Sequence, residues 1–200
     1  YGGAVLQRRV KNIVDRKIVE GLFVESKTII AKRCAELIKN GDCIFLDSSS
    51  TALHICDEIT NLRLTVITNS YSVSTRLVEL DNIMLICTGG SIDRTDYSFT
   101  GRSVTRFLSD YYVDKSFVSC SSIDMERGLS DFNEQRAEIR RYIIENSNKS
   151  YIIADHTKFD RVSFVNICGF ENINAIIVDK DLSSEWKAFC KKNKILLYEG

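Results

Sequence analysis

The residues with the clearest chemical potential are one acid followed by four consecutive hydroxyl side chains, Asp47 to Thr51. The apolar run Cys43 to Leu46 precedes them, as expected for a buried parallel strand. Apolar residues then recur at helical spacing, so we expect a helix that begins at about Thr51 with Ser50 or Thr51 as its cap. The first N–H groups of a helix are unpaired and positive, so this loop can bind a phosphate. An ordinary capped turn explains the same hydroxyl residues equally well.

Polar residues also follow other predicted strands. Glycines at such a position permit close approach of the backbone to a ligand. The later strand ends are Thr68, Asn69 and Ser70 after Leu64 to Ile67, Thr88, Gly89 and Gly90 after Ile83 to Cys87, Ser121 to Asp124 after Val113 to Ser119, and Asp155 to Phe159 after Tyr151 to Ala154.

Helical patterns alternate with these strands along the chain. One helix is predicted from Ser26 to Asn40, with Gly41 directly after it, and another follows Gly101. A further helix is expected to begin near Asn133, and the tail has a helix containing Trp186. Such alternation predicts a mostly parallel sheet with flanking helices, in which a ligand lies outside the carboxyl ends of the strands. Further strands are predicted near Val162 to Ile167, Ile176 to Val178 and Ile195 to Tyr198.

Three charged residues at these strand ends have two interpretations each. Lys158 is either a surface lysine or the cation that neutralises a phosphate, and its place after a buried strand favours the second. Asp47 and Asp124 either accept hydrogen bonds from sugar hydroxyls or cap turns, and we favour ligand contact.

Composition excludes several other classes of protein. The formal net charge is zero and the pI is about 6.9, so we do not expect this polypeptide to bind DNA by itself. Seven scattered cysteines without a CxxC pair indicate buried thiols in a reducing cytoplasm, and neither His54 nor His156 has a partner at metal-ligand spacing. No nucleotide-binding glycine motif and no membrane-length apolar run occurs. We therefore expect a cytoplasmic protein without metal or cofactor.

Taken together, these features resemble the C-terminal sensor domain of DeoR-family bacterial transcription regulators. The residues that carry the resemblance, in order and spacing, are Tyr1 to Ala4, Lys27 to Ala35, Gly41-Asp42, Phe45 to Thr51, Val66 to Ser70, Gly89-Gly90, Gly101, Asp114 to Phe117, Gly128-Leu129, Asn133 and Ala154 to Phe159. The resemblance implies a fold like ribose-5-phosphate isomerase and the CoA transferases, with a smaller C-terminal β-containing region.

The resemblance also implies a function. Residues 26–200 would sense a phosphorylated sugar or polyol, and residues 1–25 would link them to an upstream winged helix-turn-helix that binds operator DNA. The regulator would be a repressor and a homo-oligomer. Its ligand would be held by Asp47, Ser48, Ser49, Ser50, Thr51, Thr68, Asn69, Ser70, Gly89, Gly90, Gly101, Asp124 and Lys158.

The sequence departs from the family pattern in the first loop, which has Ser-Ser-Thr where Gly-Thr-Thr is common. Ser122 stands where glycine is common, and Val104 replaces a small residue. Arg136 stands where many relatives have Glu, which argues for binding without turnover. Two alternatives stay open. One is a sugar-phosphate isomerase with Asp124 or Glu134 as its base, and the other is an oligomerisation module with a vestigial pocket.

Overall fold

A computed structural model describes residues 23–200. Most of the predicted linker, residues 1–25, therefore lies outside the described residues. The helices are α1 Val24–Glu36, α2 Ser50–Glu58, α3 Tyr71–Leu77, α4 Arg102–Leu108, α5 Glu134–Asn146 and α6 Ser184–Lys192. The strands are β1 Cys43–Leu46, β2 Leu64–Thr68, β3 Ile83–Cys87, β4 Ser91–Asp93, β5 Ser98–Thr100, β6 Val113–Val118, β7 Ser122–Asp124, β8 Gly128–Asp131, β9 Ser147–Ile153, β10 Val165–Cys168, β11 Ala175–Ile177 and β12 Leu196–Tyr198.

The main sheet has seven strands in the order β12-β11-β9-β6-β1-β2-β3, and every neighbouring pair is parallel. Its two faces are buried against different helices. Ile44 and Leu46 of β1 belong to one apolar cluster with residues of α1 and α2, whereas Phe45 belongs to a second cluster with residues of α5 and α6. Because both faces are covered, the central strands are continuous apolar runs, and each large side chain contributes about 1.5–3 kcal/mol by burial.

This architecture confirms the predicted fold class. Two small antiparallel sheets accompany the main one, with strand orders β10-β8-β7 and β4-β5. The smaller β-containing region is the first of these, formed by residues 122–131 and 165–168, whereas the last two strands of the chain join the main sheet.

Several local expectations need correction. Helix α1 ends at Glu36 and not at Asn40, because the N–H groups of Leu37 and Ile38 bond back three residues in a tightened last turn. The cap of α2 is Ser49, since its hydroxyl oxygen accepts a hydrogen bond from the N–H of Ala52.

The polar segment at residues 121–133 also differs from the prediction. Ser122 to Asp124 is not the end of a main-sheet strand but is itself β7, and a second strand of the small sheet, β8, follows it. The hairpin β4–β5 was not predicted, because three-residue strands rich in serine and aspartate carry little periodic signal.

Candidate functional site

The carboxyl ends of the parallel strands bring most of the predicted residues to one edge of the sheet. The loops after β1, β2, β3, β6 and β9 meet there, because all five strands run in the same direction. They contribute Asp47 to Ser49, Asn69 and Ser70, Thr88 to Gly90, Ser119, and Asp155 to Lys158. We call this group of loops the carboxyl edge.

Asp47 lies beneath the first loop and is 2% exposed. Its Oδ1 accepts a hydrogen bond from the N–H of Ser49 (2.9 Å), and its Oδ2 accepts one from the N–H of Ser119 (2.9 Å). The guanidinium of Arg140 also contacts Oδ2, with Nη2 at 3.0 Å and Nε at 3.1 Å. Both carboxylate oxygens are therefore engaged, and Asp47 ties the first loop to β6 and to α5. A contact with a ligand hydroxyl stays a prediction.

The hydroxyl residues after Asp47 have different surroundings. Ser48 is buried and donates to Asp96 Oδ2 (3.1 Å), Ser49 caps α2, and Thr51 is 1% exposed. Ser50 is partly exposed at the first position of the helix. The N–H groups in this first turn have no partner within the helix, so the turn can accept an anion.

The end of β2 is organised by its own hydroxyl groups. Thr68 Oγ1 donates to the carbonyl oxygen of Leu46 (2.7 Å), and Ser70 caps α3 by accepting from the N–H of Val73 (3.2 Å). Asn69 is 2% exposed, and its Nδ2 donates to the carbonyl oxygen of Phe99 (3.4 Å). Its Oδ1 is buried and has no hydrogen-bond partner within residues 23–200. Asn69 therefore retains hydrogen-bonding capacity that Thr68 and Ser70 have used.

The glycines after β3 allow close packing of neighbouring elements as well as approach of a ligand to the backbone. Gly90 has φ of 116°, and a Cβ there would lie 3.0 Å from the carbonyl oxygen of Thr100 and 3.1 Å from a methyl group of Val104. Gly89 also has positive φ, at 63°, with open space where a Cβ would be. Gly101, with φ of 102°, directly precedes α4. The predicted glycines thus let the hairpin β4–β5 and α4 approach the end of β3.

A buried network of charges lies beside the first loop. Arg140 pairs with Asp47 and forms a short hydrogen bond to Asp131, while Arg136 Nη1 lies 3.1 Å from Asp96 Oδ2. Burial acts to raise the pKa of Asp131, but Arg140 and Arg136, with two backbone N–H groups, outweigh it and hold that pKa below its usual value. The network fixes the position of α5 against the carboxyl edge.

Sequence reasoning did not assign Asp96, Ser119, Asp131 or Arg140 to the site, and it noted Arg136 only as a departure. The helical spacing of the two arginines could have indicated their role. Arg136 and Arg140 share the face of α5 that includes Ile139 and Ile143, and arginines on a buried helix face need acidic partners. Of the acidic partners of Arg140, Asp131 is nine residues away in sequence, whereas Asp47 is 93 residues away.

Lys158 reaches the carboxyl edge from the far side of β6. Asp155 caps a short 3-10 helix, His156–Lys158, by accepting from the N–H of Thr157 (3.0 Å). The ammonium of Lys158 then donates to Ser119 Oγ (2.8 Å), and the N–H of the same serine is bound by Asp47. The structure therefore brings Lys158 and the first loop together on the two sides of Ser119.

Two further titratable residues lie near Lys158 and Ser119 in the sequence, His156 and Cys120. His156 Nδ1 lies 2.8 Å from Asp179 Oδ2. Burial raises the pKa of the nearby Cys120 thiol to about 12, although Lys158 and Arg140 act to lower it, so this cysteine is uncharged at neutral pH.

Asp124 is separate from the main-sheet strand ends. It is 4% exposed, and its Oδ1 accepts from the N–H groups of Glu126 and Arg127, both at 3.1 Å. This geometry caps the turn between β7 and β8, so a role in reading hydroxyls stays a prediction. The described residues contain no cluster of histidine, cysteine and acidic side chains that could hold a metal ion. None of their helices has the length and apolar character needed to cross a membrane.

Comparison with solved structures supports the fold alone. Translation initiation factor eIF-2B of Pyrococcus horikoshii OT3 aligns with a TM-score of 0.53 and 20% identity, covering 81% of this chain and 63% of that one. A D-ribose-5-phosphate isomerase aligns with a TM-score of 0.50 and 15% identity, covering 68% of this chain and 53% of that one.

Comparison of sequences is more specific. The HTH-type transcriptional regulator GolR of Listeria innocua is 36% identical over 96% of this chain and 75% of its own length. YulB of Bacillus subtilis, also an HTH-type transcriptional regulator, is 34% identical over 91% and 70%, and the glycerol-3-phosphate regulon repressor of Escherichia coli K12 is 30% identical over 90% and 71%. The DeoR C terminal sensor domain family matches residues 23–180. The chain therefore belongs to the family of DeoR C-terminal sensor domains, as part of a transcriptional regulator and not as an enzyme.

Proposed function

We propose that this sensor domain binds a phosphorylated sugar or polyol at the carboxyl edge and that ligand binding alters the affinity of the regulator for its operator DNA. The name of one relative supports this class of effector, because the glycerol-3-phosphate regulon repressor of Escherichia coli K12 is named for a phosphorylated polyol.

The observation that carries the proposal is the position of Lys158. Its ammonium lies 2.8 Å from a neutral hydroxyl, that of Ser119, and takes part in none of the salt bridges between described residues. Ser119 is in turn bonded to Asp47, whose loop leads into the first turn of α2. A phosphate between Lys158 and this turn would receive donors from a cation, from hydroxyls and from backbone N–H groups.

The contacts with the rest of the ligand are inferred from the polar atoms that have no hydrogen-bond partner among the described residues. Asp47 and Asp124 already accept hydrogen bonds from protein groups, whereas Asn69 has a buried acceptor without a partner among the described residues. We therefore assign the first hydroxyl contact to Asn69, with Asp47 and Asp124 as further candidates. The geometry does not support the isomerase alternative, because Asp124 accepts hydrogen bonds from the backbone of its own turn and Glu134 is exposed.

The proposal extends to the whole regulator. Its relatives are named HTH-type regulators, and the chain spans 70–75% of the length of the first two. We assign residues 26–200 to effector binding and residues 1–25 to the link with an N-terminal winged helix-turn-helix. A cytoplasmic homo-oligomer fits such a regulator, because palindromic operators are read by symmetric dimers.

Replacement of Lys158 tests the phosphate site. A lost charge-assisted hydrogen bond costs about 1.5–3 kcal/mol, so Lys158→Ala should weaken binding of a phosphorylated sugar roughly 10- to 150-fold in titration calorimetry. Lys149→Ala is the matched control, because Lys149 is an exposed lysine near the amino end of the same strand, β9. Unchanged affinity in the Lys158 variant would remove this residue from the site.

A further inference from the structure

Two polar atoms near the carboxyl edge are buried without a partner among the described residues, Asn69 Oδ1 and Arg136 Nε. One is an acceptor and the other a donor, and their residues are 2% and 9% exposed. The bond from Asn69 Nδ2 to Phe99 fixes which way the amide points. Most buried polar atoms in folded proteins are hydrogen-bonded, so these two atoms are candidates for contact with a ligand.

Both residues contact the hairpin β4–β5, which adjoins the predicted phosphate loop. Asp96 in its turn accepts from Ser48 Oγ (3.1 Å) and pairs with Arg136 Nη1 (3.1 Å). At the other end, the N–H of Phe99 donates to the carbonyl oxygen of Asn69 (2.7 Å). The carboxylate of Asp96 thus connects Arg136 to Ser48 of the first loop. The ring of Phe132 stacks on the guanidinium of Arg136, 4.4 Å from its central carbon.

The charges around Arg136 restrict what a ligand can present to it. Arg136 faces Asp96 at 3.1 Å and Asp131 at 3.9 Å, and Arg140 is paired with Asp131 and Asp47. Three carboxylates therefore surround two guanidinium groups, and Lys158, which contacts Ser119 beside Asp47, supplies a further cation. A phosphate would use this last cation, so a second anion would meet an excess of carboxylate charge.

We propose that Arg136 and Asn69 determine specificity for the end of the effector that is distant from its phosphate, and that this end carries uncharged hydroxyl groups. Hydroxyl groups can both donate to Asn69 Oδ1 and accept from Arg136 Nε, whereas an ionised carboxylate has no proton to donate to Asn69 Oδ1. The inference rests on the proposed function, since it places one part of the same ligand.

Calorimetry with matched pairs of phosphates tests the class of ligand. Glycerol 3-phosphate and 3-phosphoglycerate form one pair, and glucitol 6-phosphate and 6-phosphogluconate form another, each differing in an alcohol or a carboxylate at the distant end. We expect the alcohol of the better-binding pair to bind at least about tenfold tighter than the acid. Equal or tighter binding of the acid would overturn the inference.

Variants separate this role from a structural one. Arg136→Lys keeps the charge but removes Nε, so it should weaken binding of the preferred alcohol about tenfold or more and leave inorganic phosphate within about twofold. Asn69→Ala should act in the same direction and serves if Arg136→Lys fails to fold, as judged by thermal unfolding. Arg141→Lys is the control on the same helix, because Arg141 contacts only the carbonyl oxygens of Asn166 and Ile167 in the described hydrogen bonds.

The outcomes distinguish this inference from the proposed function. If phosphates bind in a Lys158-dependent manner but Arg136→Lys and Asn69→Ala leave the alcohol unaffected, the inference is wrong and the proposed function stands. An equal loss of inorganic phosphate binding in Arg136→Lys would also overturn the inference. If neither inorganic phosphate nor any of the four esters binds, both are refuted.

Discussion

At the scale of single residues, the carboxyl edge depends on buried charges that compensate one another. Asp47 and Asp131 share Arg140, and Asp131 also faces Arg136. Removal of one member of such a group leaves an uncompensated charge in a poorly solvated place, which costs more than the intact interaction contributes. The site is therefore sensitive to substitutions that do not touch the ligand.

Asp131→Asn should lower the free energy of unfolding by about 3–5 kcal/mol at neutral pH, because Arg140 and Arg136 lose their shared partner. The pKa of Asp131 is lowered in the folded state, so its stabilisation is complete above the ordinary value of 3.8 and is lost as the pH falls below it. The difference between wild type and variant in urea unfolding should shrink accordingly in acid. Asp181→Asn is the control, since Asp181 is exposed, and an equal loss there would contradict this account.

At the scale of elements, the long apolar strands and the caps at their ends were predictable because their signals are local. The runs at β1, β2 and β3 and the polar residues after them were correctly placed. The hairpin β4–β5 and strand β8 were missed, because they are held by partners distant in sequence, such as Ser48 with Asp96 and Ser163 with Ser130. The part of the site that the hairpin covers could not be derived from local patterns.

The cap of α2 provides a test at this scale. Ser49→Ala should lower the free energy of unfolding by about 1 kcal/mol, because its hydroxyl accepts from the N–H of Ala52 at 3.0 Å. Ser50→Ala should change it by no more than about 0.5 kcal/mol, since Ser50 is already inside the helix. Chemical denaturation of both variants checks this, and a larger cost at Ser50 would restore the cap expected from sequence.

At the scale of the whole molecule, one parallel sheet explains why residues from distant segments meet. Alternation of strands and helices predicted that sheet and the edge at which we expect a ligand to bind. It did not give the strand order, in which β6 separates β9 from β1 and so places Ser119 between Lys158 and Asp47. Arg140 and Asp47 are 93 residues apart, and no local pattern connects them.

The central claim is that this domain binds a phosphorylated sugar or polyol without converting it. Thermal unfolding with a panel of sugar and polyol phosphates, each beside its unphosphorylated counterpart, tests it most directly. At about 100 times its Kd, a ligand adds about 2.7 kcal/mol of stability. For a domain of this size that raises the midpoint by roughly 5–10 °C. We expect such a rise with at least one phosphate, recovered unchanged, and not with its unphosphorylated counterpart. No rise with any phosphate, an equal rise with the unphosphorylated compound, or turnover of the ligand would contradict the account.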